Sequence, residues 1–182
     1  MARVLIPLAQ GCEELEAVTI IDLLRRASID VTTAGLEPGP VVASRGVTLL
    51  PDRLLDEVME ETFQMIVLPG GLPGADHLNN DPRIRMLLQR ISGEQGYTAA
   101  ICAAPKVLAS AGLLAGRRAT GYPGVLDSLR RNDVTIDPSA VVRDGPIITS
   151  RGPGTAMDFA LELIAVLAGE EKRAEVEAGL AR

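Results

Sequence analysis

Residues 97–105 read Tyr-Thr-Ala-Ala-Ile-Cys-Ala-Ala-Pro, and this stretch decides the interpretation of the fold. An apolar run with strand character ends at Cys102, small residues stand two positions before and after it, and helical spacing follows over 104–114. This layout is typical of a nucleophile elbow, a sharp strand-to-helix turn that holds a nucleophile clear of the sheet. We expect the following helix to favour the Cys102 thiolate. The alternative from this segment alone is a free cysteine that fills space in a buried strand.

Working outward from the elbow, strand and helix patterns alternate along the chain. Strands are predicted over 3–8, 29–34, 64–68, 97–101, 118–121 and 146–149, with a hairpin over 41–50 and short strands around Val134 and Val141. Helices are predicted over 13–27, 82–92, 104–114, 124–131, 154–168 and 170–180, and in part over 52–62. Such alternation predicts an α/β fold, a mostly parallel sheet with helices on both faces, in one domain spanning residues 1–182.

Composition narrows the class of protein. Hydrophobic residues make up 47% of the chain and aromatic residues only 2%, so the core must be aliphatic. The net charge of −6 and the absence of a basic cluster argue against nucleic-acid binding. Apolar runs fall short of the roughly 18 residues of a membrane span. The chain enters a strand pattern at once and has two cysteines, so we expect no cleavable signal, no disulfide framework and a cytoplasmic location.

Three unusual segments fall where predicted strands end: residues 10–14, residues 69–71 and Cys102. Ligands of parallel α/β sheets bind beyond the carboxyl ends of the strands, so these segments mark a candidate site. Gly70 and Gly71 leave backbone N–H groups open to a ligand and could form an oxyanion hole beside Cys102. The alternative is an ordinary tight turn.

Glu16 is the candidate partner of the cysteine. Its helix is apolar on most sides, which indicates cover from a second subunit as well as from the sheet. Glu13 and Glu14 are explained as carboxylates favoured near a helix N-terminus. Glu16 is expected to point toward the strand ends, where a protonated carboxyl group would donate a hydrogen bond to an anionic Cys102 sulfur.

Other chemistries find little support. His77 is the only histidine, and a surface or packing role is favoured over a Cys–His pair. One histidine and two separated cysteines do not make a zinc site, and no phosphate loop is present, so no metal or cofactor is expected. Cys12 is interpreted as an inert passenger, with a second redox thiol as the alternative. Residues 150–155 either simply begin the helix that follows or shape a pocket wall.

Together these segments resemble the ThiJ/PfpI superfamily nearly end to end. The motifs are Gly11-Cys-Glu-Glu-Leu-Glu16, Val67-Leu-Pro-Gly-Gly71, Ala99-Ala-Ile-Cys-Ala-Ala-Pro105 and Thr149-Ser-Arg-Gly-Pro-Gly-Thr155, and Thr120-Gly-Tyr-Pro123 is closest to the YajL-type branch. The resemblance implies a flavodoxin-like three-layer sandwich that forms homodimers. It implies a reactive, oxidation-prone Cys102 with a protonated Glu16 as partner. The oxyanion and pocket residues would be Gly70, Gly71, Ala103, Tyr122, Arg151 and Pro153.

Two departures from the family pattern shape the expected activity. Ala103 stands where protease-type relatives carry histidine, which argues against proteolysis. Tyr122 stands where other members carry histidine, and a tyrosine is a poor base near neutral pH. The first hypothesis is therefore a cofactor-independent enzyme that converts reactive 2-oxoaldehydes, or their adducts on glycated proteins, to 2-hydroxy acids. The second is a non-enzymatic redox sensor or chaperone that uses the same cysteine, and a small-molecule binding module stays in the background.

Overall fold

Strands and helices alternate in the computed structural model, which describes residues 2–129 and 133–182. The strands are β1 (Arg3–Leu8), β2 (Asp30–Gly35), β3 (Val41–Val42), β4 (Thr48–Leu49), β5 (Arg53–Leu54), β6 (Met65–Leu68), β7 (Tyr97–Ile101), β8 (Arg117–Ala119), β9 (Val134–Ile136), β10 (Val141–Asp144) and β11 (Ile147–Ser150). The α-helices are α1 (Glu14–Arg26), α2 (Leu55–Val58), α3 (Gly74–Asn80), α4 (Pro82–Gly93), α5 (Pro105–Ser110), α6 (Ala156–Ala168) and α7 (Glu170–Ala178).

Seven strands form the main sheet in the order β10-β11-β7-β6-β1-β2-β5. Every neighbouring pair is parallel except β10 and β11. Strands β1, β6 and β7 read as continuous apolar runs because both faces of the sheet are covered. The carboxyl ends of β6, β7 and β11 lie side by side, since Leu68 pairs with Ala100 and Ile101 with Ser150.

Helices cover both faces, and alternate residues of each strand enter separate apolar clusters. Val4 and Ile6 of β1 pack with α1 and α6 around the fully buried Phe159. Leu5, between them, packs on the opposite face with Leu88 of α4 and residues of α5. This is the predicted three-layer, mostly parallel α/β sandwich, and that prediction is confirmed. Within residues 2–129 and 133–182, no helix has both the length and the apolar character needed to cross a membrane.

Several predicted elements differ from those observed. The helix predicted over 124–131 is, within its described residues, a turn and a short 3₁₀ helix at Asp127–Leu129, because Gly124 has a φ of 87°, outside the helical region. Residues 130 and 131 of that prediction lie outside the described residues. The elbow helix stops at Ser110, and Gly112, with a φ of 81°, supplies the left-handed turn that follows. Helix α3 was not predicted, since it lacks a sustained apolar stripe.

Candidate active site

Cys102 occupies a strained turn between β7 and α5. Its φ is 63°, a left-handed conformation that costs a non-glycine residue about 1–3 kcal/mol. Its N–H donates to the Ser150 carbonyl at 3.0 Å, and its own carbonyl accepts from the Tyr122 N–H at 2.8 Å. Ala100 and Ala104, the small neighbours, are fully buried. The predicted elbow is confirmed, and it leaves Cys102 8% exposed at the edge of the sheet.

Glu16 reaches this edge from the first turn of α1. Glu13 caps the helix by accepting the Glu16 N–H at 2.8 Å, and the Glu13 N–H donates to the Gly70 carbonyl at 2.9 Å. The Glu16 side chain is fully buried, and its Oε2 accepts the Gly70 N–H at 2.8 Å. Its Oε1 has no hydrogen-bond partner of ordinary geometry among the described residues. One carboxylate oxygen is thus anchored to the β6 loop and the other is unsatisfied.

Gly70 is where Glu16 and Cys102 meet. A β-carbon on Gly70 would lie 2.6 Å from Cys102 Cβ and 2.8 Å from Glu16 Oε2. Only glycine fits between the two side chains, because real β-carbons essentially never approach other atoms this closely. The predicted pairing of Glu16 with Cys102 is therefore built into the backbone of this loop.

The two side chains titrate as a pair. Burial raises the pKa of Glu16 to about 7, while the Gly70 amide and the Cys102 side chain act to lower it. Burial, with the Glu16 carboxylate, raises the pKa of Cys102 to about 12. On balance burial and the Glu16 carboxylate outweigh the amides at the start of the following helix, so the expectation that this helix favours the Cys102 thiolate stays a prediction. Two negative charges do not coexist here near neutral pH, and loss of one proton leaves one charge shared by the pair.

Backbone amides surround both ends of the pair. The Gly71 and Ala103 N–H groups interact with the Cys102 side chain and act to lower its pKa. The Gly70 N–H donates to Glu16, so among the predicted oxyanion donors it is the one engaged by the carboxyl group. Gly71 is held at a φ of 87°, and a β-carbon there would lie 2.4 Å from the Glu13 nitrogen. Gly71 and Ala103 are therefore the donors that face the sulfur.

The other predicted pocket residues lie beside the cysteine. Tyr122 is 54% exposed and packs on Gly152, where a β-carbon would lie 3.4 Å from the tyrosine ring. The Arg151 guanidinium is exposed and donates to the Pro138 carbonyl at 3.4 Å. Tyr122, Arg151 and Pro153 line a cavity of about 280 Å³, and Cys102 is not among its lining residues. The Tyr122 N–H, which donates to the Cys102 carbonyl, links this cavity to the elbow.

The remaining candidates take no part in this arrangement. Cys12 is fully buried, and burial raises its pKa to about 11, as expected for an inert thiol. His77 is exposed on α3, in agreement with the predicted surface role, and it is not among the groups that shift the pKa of Cys102. In the part of the chain that the structure describes, no group of three or more His, Cys, Asp or Glu side chains could hold a metal ion.

Sequence reasoning missed the second function of residues 13 and 14. Glu13 was assigned only to the helix N-terminus, yet its backbone also fixes the Gly70 loop. Glu14 is buried and accepts hydrogen bonds from the Ser44 hydroxyl at 3.1 Å and the Arg45 N–H at 2.9 Å. The sequence predicts both the hairpin over 41–50 and the acidic helix start, but nothing local connects residues that are 30 positions apart.

Comparison with known proteins agrees with this architecture. The model of the DJ-1/PfpI family matches residues 2–166. The chain is 46% identical to protein dj-1beta of Drosophila melanogaster over 97% of this chain and 95% of the relative. It is 37% identical to the glutathione-independent glyoxalase DJR-1.2 of Caenorhabditis elegans, over 94% and 90% of the two chains. A solved structure of oxidized Toxoplasma gondii DJ-1 superimposes with a TM-score of 0.95 at 39% identity, covering 100% of this chain and 98% of that one. The chain belongs to the DJ-1/PfpI family.

Proposed function

We propose that this protein is a cofactor-independent, cysteine-dependent enzyme that converts 2-oxoaldehydes, free or as adducts on proteins, to 2-hydroxy acids. The observation that carries the proposal is the buried Glu16 Oε1, which has no hydrogen-bond partner among the described residues and belongs to the carboxyl group coupled to Cys102. A proton on Oε1 would give that atom a donor function and the Cys102 sulfur a hydrogen bond. The single negative charge of the pair then rests on sulfur, the nucleophilic form.

The reaction begins with a carbon–sulfur bond. The Cys102 thiolate attacks the aldehyde carbon, and the carbonyl π pair becomes an alkoxide oriented by the Gly71 and Ala103 amides. Glu16 gives its proton to this oxygen and becomes a carboxylate. It then removes the hydrogen of the former aldehyde carbon as a proton, and the C–H electron pair forms the double bond of an enediol. The proton is delivered to the neighbouring carbon, while the hydroxyl proton of the former aldehyde oxygen passes to the former ketone oxygen.

These transfers leave a thioester of a 2-hydroxy acid on Cys102. Water attacks the thioester carbonyl and gives a proton to the Glu16 carboxylate. The carbon–sulfur bond then breaks, and the acid leaves with the Cys102 thiolate and the protonated Glu16 both restored. One carbon is oxidised from aldehyde to carboxylate while its neighbour is reduced from ketone to alcohol. The sum is the addition of one water molecule, so no external oxidant or reductant is required.

The family comparison supports this substrate class. A relative that shares 37% identity with this chain is named a glutathione-independent glyoxalase. Action on glycated proteins would require that the adduct reach Cys102 on a protein surface. The position of Cys102 at the sheet edge, 8% exposed, supports access by a small carbonyl group.

Lactate formation from methylglyoxal tests the proposal. We expect Cys102→Ser to lower kcat/KM by at least about 100-fold and Glu16→Gln by about 10²- to 10⁴-fold, as for loss of general acid–base catalysis. Cys12→Ser is the matched control, because that thiol is fully buried and burial raises its pKa to about 11, so it is not an accessible nucleophile. Undiminished lactate formation by Cys102→Ser would rule out the mechanism.

Oxidation sensing by the same cysteine is a second candidate. The solved Toxoplasma gondii DJ-1 structure that superimposes on this chain is described as oxidized. A partly exposed thiol whose sulfur faces amide donors could be oxidised to the sulfinic acid, with Glu16 hydrogen-bonded to the product. Mass spectrometry after mild peroxide should show two added oxygens on Cys102 before any on Cys12. Modification of Cys12 before Cys102 would contradict this role, and so would oxidation that leaves no lasting sulfinate on Cys102. A chaperone activity controlled by this oxidation would then be contradicted as well.

We also propose that the protein is a homodimer. Leu15 and Val18 of α1 are 53% and 46% exposed, and Val47 and Leu50 beside the β3–β4 hairpin are 48% and 79% exposed. Val18 and Leu50 line one groove, so exposed apolar side chains of the helix and the hairpin lie next to each other. Such surfaces mark interaction sites, and a second copy would cover this one.

A reducing cytoplasm is the location we propose. Cys12 and Cys102 are both free thiols, and the proposed chemistry requires the Cys102 thiol unmodified.

A further inference from the structure

A cavity lies away from the elbow, at the carboxyl ends of β1 and β2. It has a volume of about 470 Å³, within the range of small-molecule sites. Its apolar part is formed by Leu8, Leu36 and Val41, which are buried or half-buried. Glu37, His77 and Asn80 line its exposed part. The cavity therefore joins an aliphatic floor to a polar rim.

Other polar side chains of this cavity are already committed. Arg83 donates to the Leu36 carbonyl at 3.0 Å, to Asp56 Oδ1 at 2.8 Å and to Asp81 Oδ2 at 2.6 Å. Gln10 accepts the Val42 N–H at 2.9 Å and donates to the Pro40 carbonyl at 3.0 Å. These contacts hold the walls of the cavity in place. The charge of Arg83 is compensated within the protein by Asp56 and Asp81.

The rim, by contrast, is open and acidic. Among the described residues no ion pair or hydrogen bond involves the side chains of Glu37, His77 or Asn80. Arg83 is already paired with Asp56 and Asp81, so the negative charge at the rim is that of the Glu37 carboxylate. A carboxylate, an imidazole and an amide oxygen are all able to accept hydrogen bonds. A primary ammonium group carries three donors and no acceptor, which matches these three acceptors in number and in charge.

We propose that this cavity binds a small primary amine, with its apolar body on Leu8, Leu36 and Val41 and its ammonium group between Glu37, His77 and Asn80. The site is separate from the Cys102 elbow and does not rest on the proposed enzymatic function. It gives a role to the single histidine, which the elbow leaves unused.

His77 provides a direct readout because the chain has only one histidine, so its imidazole proton signals are unambiguous in an NMR spectrum. We expect titration with 2-phenylethylamine to shift the His77 signals saturably. The neutral analogue 2-phenylethanol should bind at least about tenfold more weakly, since it lacks the charge-assisted hydrogen bonds. Equal shifts with amine and alcohol, or the absence of a saturable shift, would overturn the proposal.

Two variants complete the experiment. Glu37→Gln keeps the shape of the side chain and should weaken amine binding about tenfold, whereas the control Glu60→Gln removes an exposed charge from outside the cavity and should leave it unchanged. Cys102→Ala should bind the amine as the parent does, which separates this site from the fate of the enzymatic proposal. Loss of binding in Cys102→Ala, or undiminished binding in Glu37→Gln, would refute the assignment.

Discussion

At the scale of single residues, Glu16 decides what Cys102 can do. A fully buried carboxylate with one oxygen unsatisfied is costly when charged, and the proton that neutralises it also provides a donor for the sulfur. The amides divide between the two groups, with Gly70 on the carboxyl group and Gly71 and Ala103 on the sulfur. The nucleophile would therefore be activated by the position of the proton within the Glu16–Cys102 pair, and not by a low pKa of the Cys102 thiol.

This pairing predicts a pH dependence of stability. The pKa of Glu16 rises from 4.5 to about 7 on folding, so its contribution to the free energy of unfolding is largest at low pH and is lost as pH rises through about 7. From pH 5 to pH 8 the free energy of unfolding of the parent should fall by about 2–3 kcal/mol relative to that of Glu16→Gln, whose side chain does not titrate. Urea unfolding at both pH values measures this difference.

The control for that measurement is Glu60→Gln, which changes an exposed glutamate. It should follow the parent at both pH values. If the free energies of unfolding of the parent and of Glu16→Gln change equally between the two pH values, Glu16 does not bind its proton more tightly in the folded state.

At the scale of elements, the start of α1 holds the β3–β4 hairpin in place. The Glu14 carboxylate accepts from Ser44 and Arg45, and more weakly from the Val47 N–H at 3.4 Å. These hydrogen bonds hold the pKa of Glu14 below its usual value, against the effect of burial. The first turn of α1 thus places Glu16 at the sheet edge beside Cys102, and it also holds the hairpin next to the proposed dimer surface.

Replacing Glu14 by Gln should loosen the hairpin without unfolding the sheet. We expect hydrogen exchange of the Arg45 and Val47 amides to become about tenfold faster or more, because a neutral amide is a weaker acceptor than a carboxylate. Since the pKa of Glu14 is lowered by folding, the protection in the parent should be present at neutral pH and fall as acid protonates the carboxylate. Glu94→Gln is the control, and equal exchange in all three proteins would contradict the assigned role.

At the scale of the whole molecule, the apolar surface of α1 and the hairpin predicts the oligomeric state. Light scattering should give twice the chain mass of 19.2 kDa for the parent. Val18→Asp places a charge in the centre of that surface and should yield monomers, since burying an unpaired carboxylate is costly. Met86→Asp alters a residue of α4 that is 60% exposed and should remain dimeric. A monomeric parent protein, or dissociation by both variants equally, would refute this interface.

Much of the fold follows from local patterns. The strands β1, β6 and β7 agree with their predicted bounds within a few residues, because burial on both faces leaves a continuous apolar strand. Helix α4 does so because burial on one face leaves an apolar stripe. The elbow is local as well, since the small residues around Cys102 reflect crowding within a few bonds. Helix α3 was not predicted because its apolar spacing is too weak. A helix was wrongly predicted from residue 124 onward because the left-handed backbone of Gly124 replaces the first helical turn by a tight turn.

By itself, the sequence determined the alternation of strands and helices, the family, and the position of Cys102 at a strand end. Tertiary structure alone decided that the Gly70 N–H donates to Glu16, that the pKa of Cys102 is raised, and that Tyr122, Arg151 and Pro153 line a neighbouring cavity. The reason is physical: strand and elbow propensities depend on neighbours in the chain. Protonation and hydrogen-bond partners depend on burial and on groups more than 50 residues apart in sequence that folding brings together.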